Sequence, residues 1–184
     1  VTTLYTIGHS TRALDELVAA CRAHGVAAIA DVRRFPGSRR NPQFGRAALE
    51  QSLPAAGITY RWMPELGGRR RRPADAPPSA WRVPAFAAYA DYVNTGKFRA
   101  AIAELLAFAR AQPTAVMCAE ASPYRCHRRL ISDFAELHGV EVQHIFDDRR
   151  RERHQVTAFA RRDGDLVVYD ADETGQLLLP LPLG

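Results

Sequence analysis

The feature that most constrains this chain is the regular exchange of short apolar runs and helical stripes from Leu4 to Ile145. Leu4-Tyr5-Thr6-Ile7 is a strand-length run closed by Gly8. Thr11 is positioned to cap a helix whose apolar face is Leu14, Leu17, Val18 and Cys21, and Gly25 ends it. Ala27 to Val32 reads as a buried strand, Arg46 to Ala56 as a helix with Pro54 in its last turn, and Ile58 to Met63 as a third strand. Helices are predicted over Ala85–Val93 and Phe98–Ala111, the latter with Ile102, Leu105, Leu106 and Ala109 on one face. Thr114 to Cys118 is the fourth strand, Cys126 to His138 a helix stopped by Gly139, and Val140 to Ile145 the fifth strand. A last apolar run, Leu166 to Tyr169, is read as an added edge strand.

Strands separated by helices cannot pair as hairpins, so the expected fold class is α/β. It is a single domain over residues 1–184, built on a mostly parallel, doubly wound (Rossmann-like) sheet of about five strands with helices on both faces. Residues 67–84, with four consecutive arginines and several prolines, read as a loop or lid over that sheet.

Composition narrows the class. The 184 residues are 47% apolar and 24% charged, which suits a packed domain and not a disordered chain. No apolar run is long enough to span a bilayer, so no membrane partner is expected. Val1 to His9 lacks a basic stretch followed by an apolar one, so no secretory signal is expected. Three sparse cysteines, Cys21, Cys118 and Cys126, fit a reducing cytoplasm better than a disulfide framework. The net charge is +5, and Lys97 is the single lysine among 25 basic residues. Guanidinium forks suit phosphate and carboxylate, although a solvated basic surface explains the same excess.

Parallel α/β sheets bind ligands outside the carboxyl ends of their strands. Gly8-His9-Ser10, Asp31-Val32-Arg33, Pro64-Glu65-Leu66-Gly67-Gly68 and Cys118-Ala119-Glu120 each follow a predicted strand, so they are expected at one edge of the sheet. Within that set Cys118, Glu120, Cys126, His127 and His9 are the catalytic candidates. A helix N-terminus lowers a thiol's pKa, and carboxylate and imidazole carry protons. The ligand-binding candidates are Ser10, Asp31, Arg33, Ser38, Arg39, Asn41, Phe44, Glu65, Gly67, Gly68 and Arg128. Arg33, Arg39 and Arg128 would clamp an anion, while Phe44 would stack a base. Asp31 and Arg33 also fit a structural ion pair, and both site cysteines also fit ordinary packing positions. Cys21, on the apolar face of the first helix, is read as core.

His9, Cys118, Cys126 and His127 could converge on a metal, though no CxxC or HExxH spacing is present. Neither a Walker A loop nor GxGxxG occurs, so no cofactor is signalled. His144 on the fifth strand fits core or site, and His154 falls in an Arg-rich segment that reads as exposed.

At these residues the chain resembles the bacterial and archaeal family DUF488. The resemblance lies in Thr6-Ile-Gly-His-Ser10, Asp31-Val-Arg33 with Pro36, Ser38 and Asn41-Pro-Gln-Phe44, Tyr60 with Pro64-Glu-Leu-Gly-Gly68, and Cys118-Ala-Glu120 with Cys126-His-Arg128. It spans roughly residues 2 to 147 and weakens after Asp148. It implies an α/β fold and this set of polar motifs, with nucleotide or nucleic-acid association, and supplies no catalytic roles. Three functions follow as expectations. The first is an enzyme acting on a phosphate-bearing or nucleobase-containing small molecule. The second is a nucleic-acid-binding module using the Arg clusters. The third is an iron- or zinc-dependent enzyme with His and Cys ligands.

Overall fold

In the computed structural model, which describes residues 2–37 and 39–170, the alternation produces a six-stranded sheet in the order β3-β2-β4-β1-β5-β6. The strands are β1 (Thr3–Gly8), β2 (Ala28–Asp31), β3 (Thr59–Trp62), β4 (Thr114–Cys118), β5 (Glu141–Ile145) and β6 (Arg151–Arg153). The first five are mutually parallel and β6 runs antiparallel to β5. Five helices connect them: α1 (Leu14–Ala23), α2 (Arg46–Ala55), α3 (Pro84–Val93), α4 (Gly96–Ala111) and α5 (Arg128–Leu137). The architecture is thus a single α/β domain with one mostly parallel sheet. Ser38 and residues 171–184 lie outside the described residues.

Side-chain alternation along each strand divides the interior in two. Ile7, Ile29, Ala115, Met117 and Ile145 pack against Leu17, Val18 and Cys21 of α1 and Leu49 and Leu53 of α2. Leu4, Ala30, Val116, Cys118 and Val142 face the other way, onto α3, α4 and α5. Right-handed crossovers require this division. The chain moves outward from β1 to β3 with its helices on one face, then returns through β4 and β5 with its helices on the other. The reversal leaves β1 beside β4, with the loops that follow them opening at a switch point of the sheet.

Several sequence expectations need correction. To the five parallel strands expected, the sheet adds an antiparallel sixth, because Arg151-Glu152-Arg153 pairs with β5 despite carrying no apolar signal. Leu166–Tyr169 (β8) does not join the sheet edge; it pairs with β7 (Ala160–Asp163) in a separate hairpin. Thr11 does not cap α1, which starts at Leu14 with the Ala13 amide bonded to the Glu16 carboxylate at 2.7 Å. Cys126 and His127 are not in a helix: a 3₁₀ turn over Pro123–Arg125 precedes them, and α5 begins only at Arg128.

Two glycines hold the strand-end loops together by close approach. A Cβ on Gly8 would lie 1.9 Å from the carbonyl oxygen of Glu120, and one on Gly67 would lie 2.7 Å from the Arg34 amide. Neither contact can be relieved by turning a side chain. Gly8→Ala and Gly67→Ala should each cost at least about 2–3 kcal/mol in denaturant unfolding, as overpacking against fixed backbone does. Gly96→Ala, with nothing within 4 Å, should change stability by less than about 1 kcal/mol. Equal midpoints for all three variants would refute this account.

Candidate functional site

The register places the strand ends level. Gly8 sits opposite Cys118, and Asp31 opposite both Met117 and Trp62. Beyond those ends lies a pocket of about 530 Å³, lined in part by His9, Ser10, Arg34, Phe35, Gly68, Arg69, Cys118, Glu120, Cys126 and His127. Ser10 (φ 48°) and Arg69 (φ 59°), the two non-glycine residues in the left-handed region among those described, both line it. Such backbone strain concentrates at functional sites.

One buried polar cluster at the pocket is built around Cys126. Its Sγ lies 3.2 Å from Cys118 Sγ and accepts hydrogen bonds from Arg128 Nε at 3.2 Å and the Arg128 amide at 3.4 Å. Burial pushes this thiol up, but the Cys118 hydrogen bond and the Arg128 charge together outweigh it and lower its pKa to about 6. Cys118, donating to that thiolate and itself buried, is held well above the ordinary thiol value. Within the pair Cys126 is the more acidic thiol and Cys118 the one that holds its proton.

Arg128 is 1% exposed. Besides Cys126 it donates from Nη2 to the Glu120 carbonyl at 2.5 Å and from Nη1 to Thr6 Oγ1 at 3.4 Å. From Thr6 a buried polar chain runs inward. Thr6 Oγ1 lies 2.8 Å from His144 Nδ1, His144 Nε2 lies 2.9 Å from His154 Nδ1, and His154 Nε2 lies 2.9 Å from Asp133 Oδ1. Asp133 also accepts from the Thr157 amide and hydroxyl and from the Tyr169 hydroxyl. Arg128 can only donate and a carboxylate can only accept, so one direction of donation, from Arg128 to Asp133, satisfies every link. His144 is kept neutral, with its pKa lowered to about 3 by burial and then by the neighbouring His154 and Arg128. His154, read from sequence as exposed, is 3% exposed, because β6 returns the chain beside β5.

A second buried charge pair stands at the end of β2. Arg33 donates from Nε to Asp31 Oδ1 at 2.8 Å and from Nη2 to Oδ2 at 2.6 Å, and Tyr60 donates to the same carboxylate at 2.7 Å. Arg33 Nη1 donates to His9 Nε2 at 3.1 Å, while His9 Nδ1 donates to the Ser10 carbonyl at 2.9 Å. Both nitrogens of His9 are thus engaged, and its ring stacks on Phe44 at 4.3 Å. Burial, followed by the Arg33 charge, lowers the His9 pKa to about 4. His127 Nε2 donates to the Val32 carbonyl at 3.1 Å, leaving Nδ1 facing Gly68 with no hydrogen bond among the described residues. Burial lowers its pKa to about 4, so it stands neutral with an available lone pair.

The other sequence candidates divide. Glu120 and Asn41 line the pocket, Glu120 with an exposed side chain. Gly67 packs against Arg34, and Phe44 is wholly buried under His9. Glu65 turns outward and contributes only its carbonyl, to Arg70 and Tyr92. Arg39 is exposed and does not line the pocket. Among the described residues no group of three or more His, Cys, Asp or Glu is arranged to hold a metal ion. Sequence reading missed Phe35, Arg34 and Arg69 on the rim. It also missed the chain through Thr6, His144, His154 and Asp133. Thr6 and His144 were signalled by parity, since they fall on the same inward face as Leu4 and Val142.

Residues 13–135 match the domain of unknown function DUF488, and the chain belongs to that family. No curated protein and no solved structure gave a significant match. No helix among the described residues is long and apolar enough to cross a membrane.

Thiolate absorbance should rise in one step, of one-thiolate amplitude, centred near pH 6. No second step should follow at ordinary thiol pH, because Cys118 is held above that range and burial holds Cys21 up at about 12. Cys126→Ser should remove the step, and Arg128→Met should return it to 9.0, the ordinary value, or beyond. The sign for stability follows. The depressed value favours the folded chain fully above pH 9, and that contribution disappears as pH falls through about 6.

Proposed function

We propose that the protein is an enzyme that uses the Cys126 thiolate on a phosphorylated or nucleobase-containing ligand, bound at the carboxyl ends of β1, β2 and β4. The observation that carries this reading is the Cys126 sulfur, held by Arg128 and Cys118 at the wall of a pocket with cationic residues on its rim. Lowering a thiol's pKa while placing it in a cleft is how a nucleophile is prepared.

The residues take the following parts. Arg33 and Arg128, expected from sequence to clamp an anion, are engaged by Asp31 and Cys126, so that role passes to Arg34 and Arg69. Phe35 is 63% exposed, with the Arg34 and Arg69 guanidiniums 5.6 and 5.9 Å from its ring centroid. A flat apolar face beside two cations suits a base adjoining a phosphate. His127 Nδ1 is a proton acceptor at the wall, and the Glu120 carboxylate is a second at the rim.

A second reading, a nucleic-acid-binding module, is favoured by one observation. The pocket shares Arg34, Phe35 and Arg69 with an adjoining groove lined by Arg70, Arg71 and Tyr92. The two readings separate by salt dependence, since a strand lying across several arginines releases several counterions.

Inorganic phosphate and nucleoside monophosphates should slow alkylation of Cys126 in proportion to occupancy. Arg34→Ala and Arg69→Ala should each weaken that protection roughly tenfold, the loss expected for one charge-assisted hydrogen bond. Alkylation that ignores every anion tested would end the proposal. Tight binding of single strands with a steep salt slope, and no protection by mononucleotides, would transfer the case to the second reading.

A further inference from the structure

The nucleophile has a neighbour that a simple acyl- or phosphoryl-transfer thiol does not need. Cys118 Sγ stands 3.2 Å from Cys126 Sγ, and both residues line the same pocket. A disulfide requires about 2.05 Å between sulfurs, so closure asks for a little over about 1 Å of approach. The approach is open to Cys126, which lies between a 3₁₀ turn and α5, outside both. Cys118, by contrast, is the last residue of β4 and is fixed by the sheet. The third cysteine, Cys21, lies in the interior on the other face of the sheet, among the α1 side chains.

From this geometry we propose that Cys118 and Cys126 form a dithiol–disulfide couple that reduces a small hydroperoxide, with Cys126 as the attacking sulfur and Cys118 as the resolving one. The Cys126 thiolate attacks the distal peroxide oxygen. The O–O bond breaks, a sulfenic acid forms on Cys126, and the alkoxide leaves and takes a proton to become the alcohol. Cys118 then attacks the Cys126 sulfur; its proton and the sulfenic hydroxyl depart together as water, and the S–S bond closes. The two sulfurs lose two electrons in all, and the peroxide gains them.

The arrangement favours this order. Cys126 carries the thiolate because Arg128 donates to it twice, and Cys118 holds its proton until the first step is complete. A resolving thiol beside a reactive one is the usual setting for reversible oxidation. Buried Arg128 stays beside both sulfurs and stabilises the anionic charge as it moves between them. This inference shares Cys126 with the proposed enzyme but stands on the sulfur pair, and needs no anion on the rim.

The test is treatment of the full, reduced chain with one equivalent of hydrogen peroxide, followed by mass spectrometry without reductant. The expected product has lost two hydrogen atoms and yields a Cys118–Cys126 cross-linked peptide. Cys118→Ser, and Cys118→Ala as a second variant, should instead give Cys126 sulfenic acid that a dimedone probe captures. Cys126→Ser should give neither. The rate should fall about tenfold from pH 7 to pH 5 as the thiolate is protonated. A Cys126 that oxidises to sulfinic acid while Cys118 stays free, or that does not react, overturns the couple. Phosphate protection, measured separately, reports on the anion site and is not altered by either result.

Discussion

A guanidinium cannot be neutralised at any ordinary pH, and Arg128 carries one into the interior at 1% exposure. Burying such an ion without a partner costs several kcal/mol, on the order that would unfold a marginal domain. No carboxylate forms an ion pair with Arg128 among the described residues; its neighbours are two carbonyls, a hydroxyl and the Cys126 sulfur. The sulfur is the one of these that can supply a full negative charge. Burying Arg128 therefore favours the thiolate form of Cys126, and the thiolate in turn favours the buried guanidinium. Arg128 in turn is aimed by Thr6, which the chain of His144, His154 and Asp133 orients from behind.

Asp31 and Arg33, at the end of β2, solve the same problem by a different route. There the counter-charge is a carboxylate, saturated by the Arg33 fork, the Arg33 amide and Tyr60. The result is a rigid wall, with His9 fixed between Arg33 and Phe44. One buried arginine thus lowers the pKa of a thiol and the other braces a loop. The difference lies in whether a thiol or a carboxylate meets the guanidinium.

Much of this was legible in the sequence. The five parallel strands and five helices follow from periodicity, and the rule that ligands gather beyond strand ends brought His9, Cys118, Glu120, Cys126 and His127 to one pocket. What was not legible shares one cause. Residue type does not state burial when the burying partner is distant in sequence. Arg33 and Arg128 look like surface anion ligands until Asp31, Thr6 and Cys126 are placed around them. Phe35 and Phe44 lie on one loop, yet one is 63% exposed and the other wholly buried. β6 and β7 went unseen because Arg-Glu-Arg and Ala-Arg-Arg-Asp carry no apolar side that faces a core.

The strand order has a consequence in time. β2 pairs with β3, the next strand in the chain, whereas β1 has as its neighbours β4 and β5, with Leu4 set against Thr114 and Val142. β1 precedes both of its partners in the chain, so it stays unpaired until β4 and β5 have formed. Gly8, His9 and Ser10 wait with it, and so does Thr6. Closing so long a loop is entropically expensive and slow. Insertion of β1 between β4 and β5 is then the act that completes the sheet and the pocket together, so a chain that has folded only around β2 and β3 has neither the thiolate's anchor nor its wall.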